Sequence, residues 1–301
     1  MRSVARRTGG SNRTGGSKVP AVLDPASARR PSTVGGGRIA AAFERARSQR
    51  RAALIPYVVA GYPDADASFE AALACIDAGA DTLEVGLPYS DPLADGATLQ
   101  RASAAALRAG ATFDGSLELV GRIAAARPDV PLVPMGYANQ LVGGGTGAEG
   151  ARRLAEAGAS GVIVADLTPD EGAPFAAHAR DHGLEVIYLV APTPPAARRR
   201  WIADHAGGFL YCVSLVGVTG ARRSLPREVG RLIREVKAVS PVPVAVGFGV
   251  SRPTHVRQIV RAGADGVIAA SALVDALGPD GRDVAALSTL VASLRGATLR
   301  G

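Results

Sequence analysis

Glu84 stands inside an apolar run, Leu83-Glu84-Val85-Gly86, and Asp91 and Asp95 follow it closely. An ionised carboxylate is costly to bury unless it has a partner or a raised pKa. A raised pKa is also what acid–base work near neutral pH requires. Two readings are therefore open. Glu84 is either a paired structural acid, with both aspartates as turn formers, or a carboxylate set for acid–base chemistry. A second group consists of small residues: Gly217-Val218-Thr219-Gly220, Gly247-Phe248-Gly249-Val250-Ser251 and Ala270-Ser271. Small residues let backbone N–H groups approach an anion, and a helix beginning at Ser271 would turn its positive end toward it. Each cluster alone is ordinary turn chemistry; three on successive loops point to phosphate.

Other chemistries find little support. The lysines are Lys18 and Lys237, one in a Gly/Ser/Arg-rich stretch and one in a helical pattern, so neither is placed for a Schiff base. His178, His182, His205 and His255 fall in helices or connections; His178 and His182, four apart, read as an exposed polar pair rather than a metal site. Cys75 and Cys212 read as core residues, and no metal is expected.

The elements that must position these groups alternate. Short apolar runs occupy 54–60, 82–86, 130–135, 161–165, 185–191, 209–214, 243–247 and 266–270, with Ala/Arg/Glu-rich helical segments between them. Eight nearly continuous apolar runs separated by helices describe parallel strands covered on both faces. Ala78-Gly79-Ala80-Asp81, Ala157-Gly158-Ala159-Ser160 and Ala262-Gly263-Ala264-Asp265 each precede a strand, with glycine placed to end a helix. The spacing predicts an α/β (β/α)8 TIM barrel, with an open doubly wound sheet as the alternative. A helical pattern through Ile39, Phe43 and Ala46 adds an N-terminal helix. The expected domains are a disordered basic arm over 1–37, which also resembles a transit peptide, and a barrel over 38–301. In such barrels chemistry sits at the C-terminal ends of the strands. Glu84 and the three glycine clusters all fall there.

The chain has 301 residues and a formal charge of +7. Residues 1–38 hold eight basic residues against Asp24, so the remaining residues balance at 26 against 26. The body therefore lacks the basic footprint of a nucleic-acid binder. No apolar run reaches the roughly 20 residues of a membrane span, and the two cysteines suit a reducing cytoplasm.

The stretch Leu83–Gly96, LEVGLPYSDPLADG, resembles the signature of the tryptophan synthase alpha chain. The resemblance runs over roughly 38–295, through Ile55-Pro56-Tyr57, Met135-Gly136-Tyr137-Ala138-Asn139, Val164-Ala165-Asp166-Leu167, Leu189–Thr193, Gly217–Arg222 and Gly263–Ile268. It implies a lyase that splits indole-3-glycerol phosphate into indole and glyceraldehyde 3-phosphate by a retro-aldol step. Glu84 would be the acid–base residue, and Asp95 would accept the indole N–H. Tyr57, Met135, Tyr137 and Tyr211 would line the site, and Thr219 would belong to a mobile loop. Gly220, Phe248, Gly249, Ala270 and Ser271 would hold the phosphate. The resemblance implies no cofactor on this chain, with pyridoxal phosphate (PLP) carried by a beta-chain partner in an alpha2-beta2 heterotetramer. A stand-alone lyase and a catalytically idle binding barrel are the rivals. Ala97, Thr168 and Ala270 stand where the family usually has Pro, Pro and Gly.

Overall fold

The computed structural model describes residues 37–143, 145, 147–213, 227–247 and 249–300. The arm expected over 1–37 lies outside these apart from Gly37. Strands β1 (Ala53–Val59), β2 (Leu83–Gly86), β3 (Leu132–Gly136), β4 (Gly161–Val164), β5 (Glu185–Ile187), β6 (Leu189–Val190), β7 (Leu210–Val213), β8 (Val244–Gly247) and β9 (Gly266–Ala269) are all parallel. Their order is β5-β4-β3-β2-β1-β9-β8-β7-β6. β5 and β6 flank a single residue, Tyr188, whose carbonyl accepts the Tyr211 N–H at 3.0 Å. The two segments are thus one interrupted strand that pairs with β4 at one end and β7 at the other. The ring closes as the predicted eight-membered barrel, and the open sheet is excluded.

Helices α1 (Arg38–Ser48), α2 (Ala65–Asp77), α3 (Ala97–Arg108), α4 (Phe113–Ala126), α5 (Ala138–Leu141) and α6 (Ala148–Glu156) belong to the first half. Helices α7 (Pro169–Asp181), α8 (Ala196–His205), α9 (Arg227–Lys237), α10 (Pro253–Arg261), α11 (Ser271–Ala276) and α12 (Val284–Gly296) follow. Local chemistry sets their ends. Asp64, Thr112 and Asp283 side chains accept backbone N–H groups at the starts of α2, α4 and α12. At the other ends, Gly79, Gly158 and Gly263 take φ of 108°, 88° and 102°. The next residue in each case donates back to the carbonyl five residues earlier, at 3.1–3.3 Å. The three echoes in the sequence are therefore one repeated helix-to-strand turn.

The strands bury both faces, which is why their sequences read as apolar throughout. Ile55, Val133, Ile163, Ile187, Phe209, Ala245 and Ile268 fill the inside, while Leu54, Leu83, Val85, Leu132, Val186 and Val267 pack outward in the larger cluster. The extra helix α1 has a specific task. Its Ile39 and Phe43 join the interior cluster, and Phe43 packs on Phe209, just before β7, at 5.6 Å between ring centroids. A Cβ on Gly266, the first residue of β9, would meet the Phe43 ring at 2.9 Å. α1 therefore covers the N-terminal mouth of the barrel, leaving the other end for chemistry. Beside it, Arg51 grips Asp81 through two bonds of 2.5 and 2.6 Å, and Asp81 also accepts the Leu54 N–H. Both side chains are almost fully buried.

Candidate active site

β2 places Glu84 on the inner side of the barrel, in register with Tyr57 on β1 and Val133 on β3. The residue is 1% exposed, and its Oε2 has no hydrogen-bond partner among the described residues. Burial, reinforced by the nearby Asp95 carboxylate, pushes its pKa from 4.5 to about 8. Asp95 sits on the loop after β2, half-buried, where burial raises its pKa from 3.8 to about 6. The structure thus brings these two acids together and separates their titrations. At these values Glu84 is mostly protonated and Asp95 mostly ionised near pH 7.

Tyrosines surround the pair. Tyr57 and Tyr211 are buried, and burial holds both hydroxyls well above their ordinary pKa of 10, with Glu84 and Asp95 adding to the effect. Glycines make room for them. A Cβ on Gly86 would overlap the Tyr57 hydroxyl, and one on Gly247 would come within 2.8 Å of the Tyr211 hydroxyl. Met135, half-buried at the end of β3, contacts both the interior cluster and the group around Tyr57. From the sequence Gly86 has no site role and Gly247 belongs only to a phosphate cluster, because only the tyrosine across the strand reveals why no side chain fits.

The loop bearing Asp95 is clipped to the loop after β3. The Tyr137 hydroxyl accepts the Ala94 N–H at 3.0 Å, and the Tyr137 ring stacks on Tyr89 with centroids 4.9 Å apart. Asn139 donates to the Tyr89 hydroxyl at 3.2 Å, and Gln140 donates to the Pro88 carbonyl at 2.8 Å. Burial, followed by Asp95, raises Tyr137 to about 12. Tyr89 and Asn139 fell within the family stretches but, like Gln140, had no site role assigned beforehand, since their contacts are between residues about 50 positions apart. Asp91 takes the turn-former role: it is exposed and accepts from Ser90 Oγ at 2.7 Å.

Of the expected phosphate grip, Gly249 has φ 54°, which favours glycine, and Ser271 opens α11. Ala270 precedes it with φ −127°, so the usual glycine is not required by backbone conformation at this position. Ala97 is the first residue of α3, and Thr168 stands at the N-cap of α7 with Pro169 following. Thr219, Gly220 and Phe248 lie outside the described residues. Among the described residues no group of three or more His, Cys, Asp or Glu could hold a metal, and Cys75 and Cys212 are free and buried.

Comparison with known proteins points one way. The tryptophan synthase alpha chain family matches residues 43–295. The tryptophan synthase alpha chain of Roseiflexus sp. (strain RS-1) is 45% identical over 261 residues, covering 86% of this chain and 99% of the relative. A solved structure of Mycobacterium tuberculosis tryptophan synthase is 40% identical with a TM-score of 0.81, covering 88% of this chain and 100% of that one. The tryptophan synthase subunit alpha of Legionella pneumophila str. Paris is 34% identical with a TM-score of 0.79, over 87% and 98%.

Proposed function

This chain belongs to the tryptophan synthase alpha chain family, and from that premise we propose that Glu84 and Asp95 carry its chemistry. The protein is a lyase of tryptophan biosynthesis, cleaving indole-3-glycerol phosphate to indole and glyceraldehyde 3-phosphate. The observation that carries the residue assignment is a buried carboxyl with an unpartnered oxygen on the inner wall, close enough to Asp95 for its titration to be raised by it.

The reaction must break the bond between indole C3 and the carbinol carbon of the glycerol chain. Glu84, protonated near pH 7, gives its proton to C3, which becomes tetrahedral. Positive charge then appears on the ring nitrogen, and the Asp95 carboxylate accepts that N–H and stabilises the charge. Glu84, now ionised, removes the proton of the adjacent hydroxyl. The carbonyl forms, the carbon–carbon bond breaks, and its electron pair returns to the ring as neutral indole. Glu84 ends protonated, ready for the next turnover.

Tyr57, Met135, Tyr137, Tyr211 and Thr219 are assigned to binding the substrate. Gly220, Phe248, Gly249, Ala270 and Ser271 are assigned to the phosphate. The family requires no cofactor of its own on this chain and works with a beta chain. An alpha2-beta2 assembly with PLP on the beta chain, in the cytoplasm, completes the reading. No helix among the described residues is long and apolar enough to cross a membrane. Incubation with indole-3-glycerol phosphate, with and without a beta chain, tests it. Indole release by the wild type and none by Glu84→Gln is expected; near-normal turnover in that variant overturns the acid–base role.

A further inference from the structure

The face opposite that site contains a cleft of about 460 Å³ beside α1, within the roughly 300–1,000 Å³ typical of small-ligand pockets. Its floor is apolar: Phe43, Leu184, Val186 and Ala206 line it and are all buried. Its walls are rich in cations. Arg51 is answered by Asp81, outside the lining, and Arg47 by Glu44. Among the described residues Arg300, which also donates to the Ala264 carbonyl at 2.9 Å, shares with Lys237 a single carboxylate, Asp265, at 3.6 and 2.5 Å. That carboxylate also accepts the Val244 N–H at 2.8 Å. Arg180, exposed at the C-terminal end of α7, makes no ion pair among the described residues. Glu185, the remaining acid of the lining, uses Oε1 on the Gly208 N–H at 3.1 Å, and burial raises its pKa.

Positive charge on this wall thus exceeds the carboxylates available to answer it, above a greasy floor. We propose that the cleft binds a small organic carboxylate. Its apolar body covers Phe43 and Val186, and its anionic head is drawn to Arg180, Lys237 and Arg300. A bare inorganic anion would leave the floor in water, and a neutral hydrocarbon would leave the cations unanswered; an aryl or branched aliphatic acid satisfies both. The molecule supplies its own reporter. His205 lines the cleft, and its ring lies 4.3 Å from that of Trp201, the single tryptophan of the chain.

The full chain is titrated with benzoate, with benzyl alcohol as the uncharged control, following Trp201 fluorescence and the heat of binding. Saturable benzoate binding in the millimolar range and none by the alcohol are expected. Arg180→Gln, a change at an exposed side chain, should weaken benzoate about tenfold, or ~1.4 kcal/mol, while indole release stays at the wild-type rate. Arg300→Gln should weaken it as well. No saturable benzoate binding, equal binding of the alcohol, or unchanged affinity in both variants would overturn the proposal.

Discussion

Replacing Glu84 by Gln should remove activity and, at alkaline pH, stabilise the protein against the wild type. The reasoning follows the proton. In the unfolded chain Glu84 ionises near 4.5, and in the folded barrel near 8. Between those values the folded state holds one proton more than the unfolded state, so wild-type stability falls as pH rises through that window and levels off above it. From pH 6 to pH 9 the titration covers about two pKa units, so this group alone removes about 3 kcal/mol, at 1.36 kcal/mol per unit. Gln cannot ionise and escapes that loss. Its amide will have its own cost in a site where one oxygen already lacks a partner, about 1–3 kcal/mol, but that cost does not depend on pH. Asp95, titrating near 6, lies at the lower edge of this range and, like the tyrosines and cysteines, is common to both proteins. Urea unfolding at pH 6 and pH 9, with equal slopes in both proteins, isolates the effect. The stability difference, variant minus wild type, should become more favourable to the variant by about 3 kcal/mol between the two pH values. A difference independent of pH would show that Glu84 titrates as an ordinary carboxyl, and the protonated-donor argument would fall with it.

The same two groups predict a bell-shaped kcat/KM profile, rising as Asp95 ionises near 6 and falling as Glu84 ionises near 8; Asp95→Asn should abolish the acid limb, and a flat profile would contradict the role separation. Tyr137→Phe keeps the stack on Tyr89 but strands the Ala94 N–H. It should lower kcat several-fold with a stability loss of about 1–3 kcal/mol or less, read by steady-state kinetics and urea unfolding. Arg51→Ala leaves Asp81 charged and nearly buried, and a loss of about 3–5 kcal/mol is expected from denaturant melts; a change below about 1 kcal/mol would show that water replaces the arginine.

Periodicity made the barrel legible because every strand buries both faces: all eight apolar runs became strands, and the three Ala-Gly-Ala turns reappear with their left-handed glycines. The interruption at Tyr188 was invisible, since Glu185 to Ala191 reads as a single run. Glu84 stood out because a carboxylate within an apolar strand is costly to bury, although the sequence left a paired structural acid equally open. Asp95 gained meaning from the family signature, and the structure distinguishes it from Asp91 by burial, which spacing could not do. The Tyr89–Asn139 contact and the glycines opposite Tyr57 and Tyr211 depend on neighbours distant in the chain. No local pattern encodes such pairs.

The split strand also decides where the ring gives way. β1 and β9 are joined over four register pairs, whereas β4–β5 has three and β3–β4, β6–β7 and β8–β9 have two each. Among these two-pair joints β6–β7 is the one beside a break within a strand, at Tyr188, so partial opening starts there before the β1–β9 junction yields. Amide exchange then runs fastest along that joint, while β2, held by three pairs to β1 and four to β3, keeps Glu84 in place.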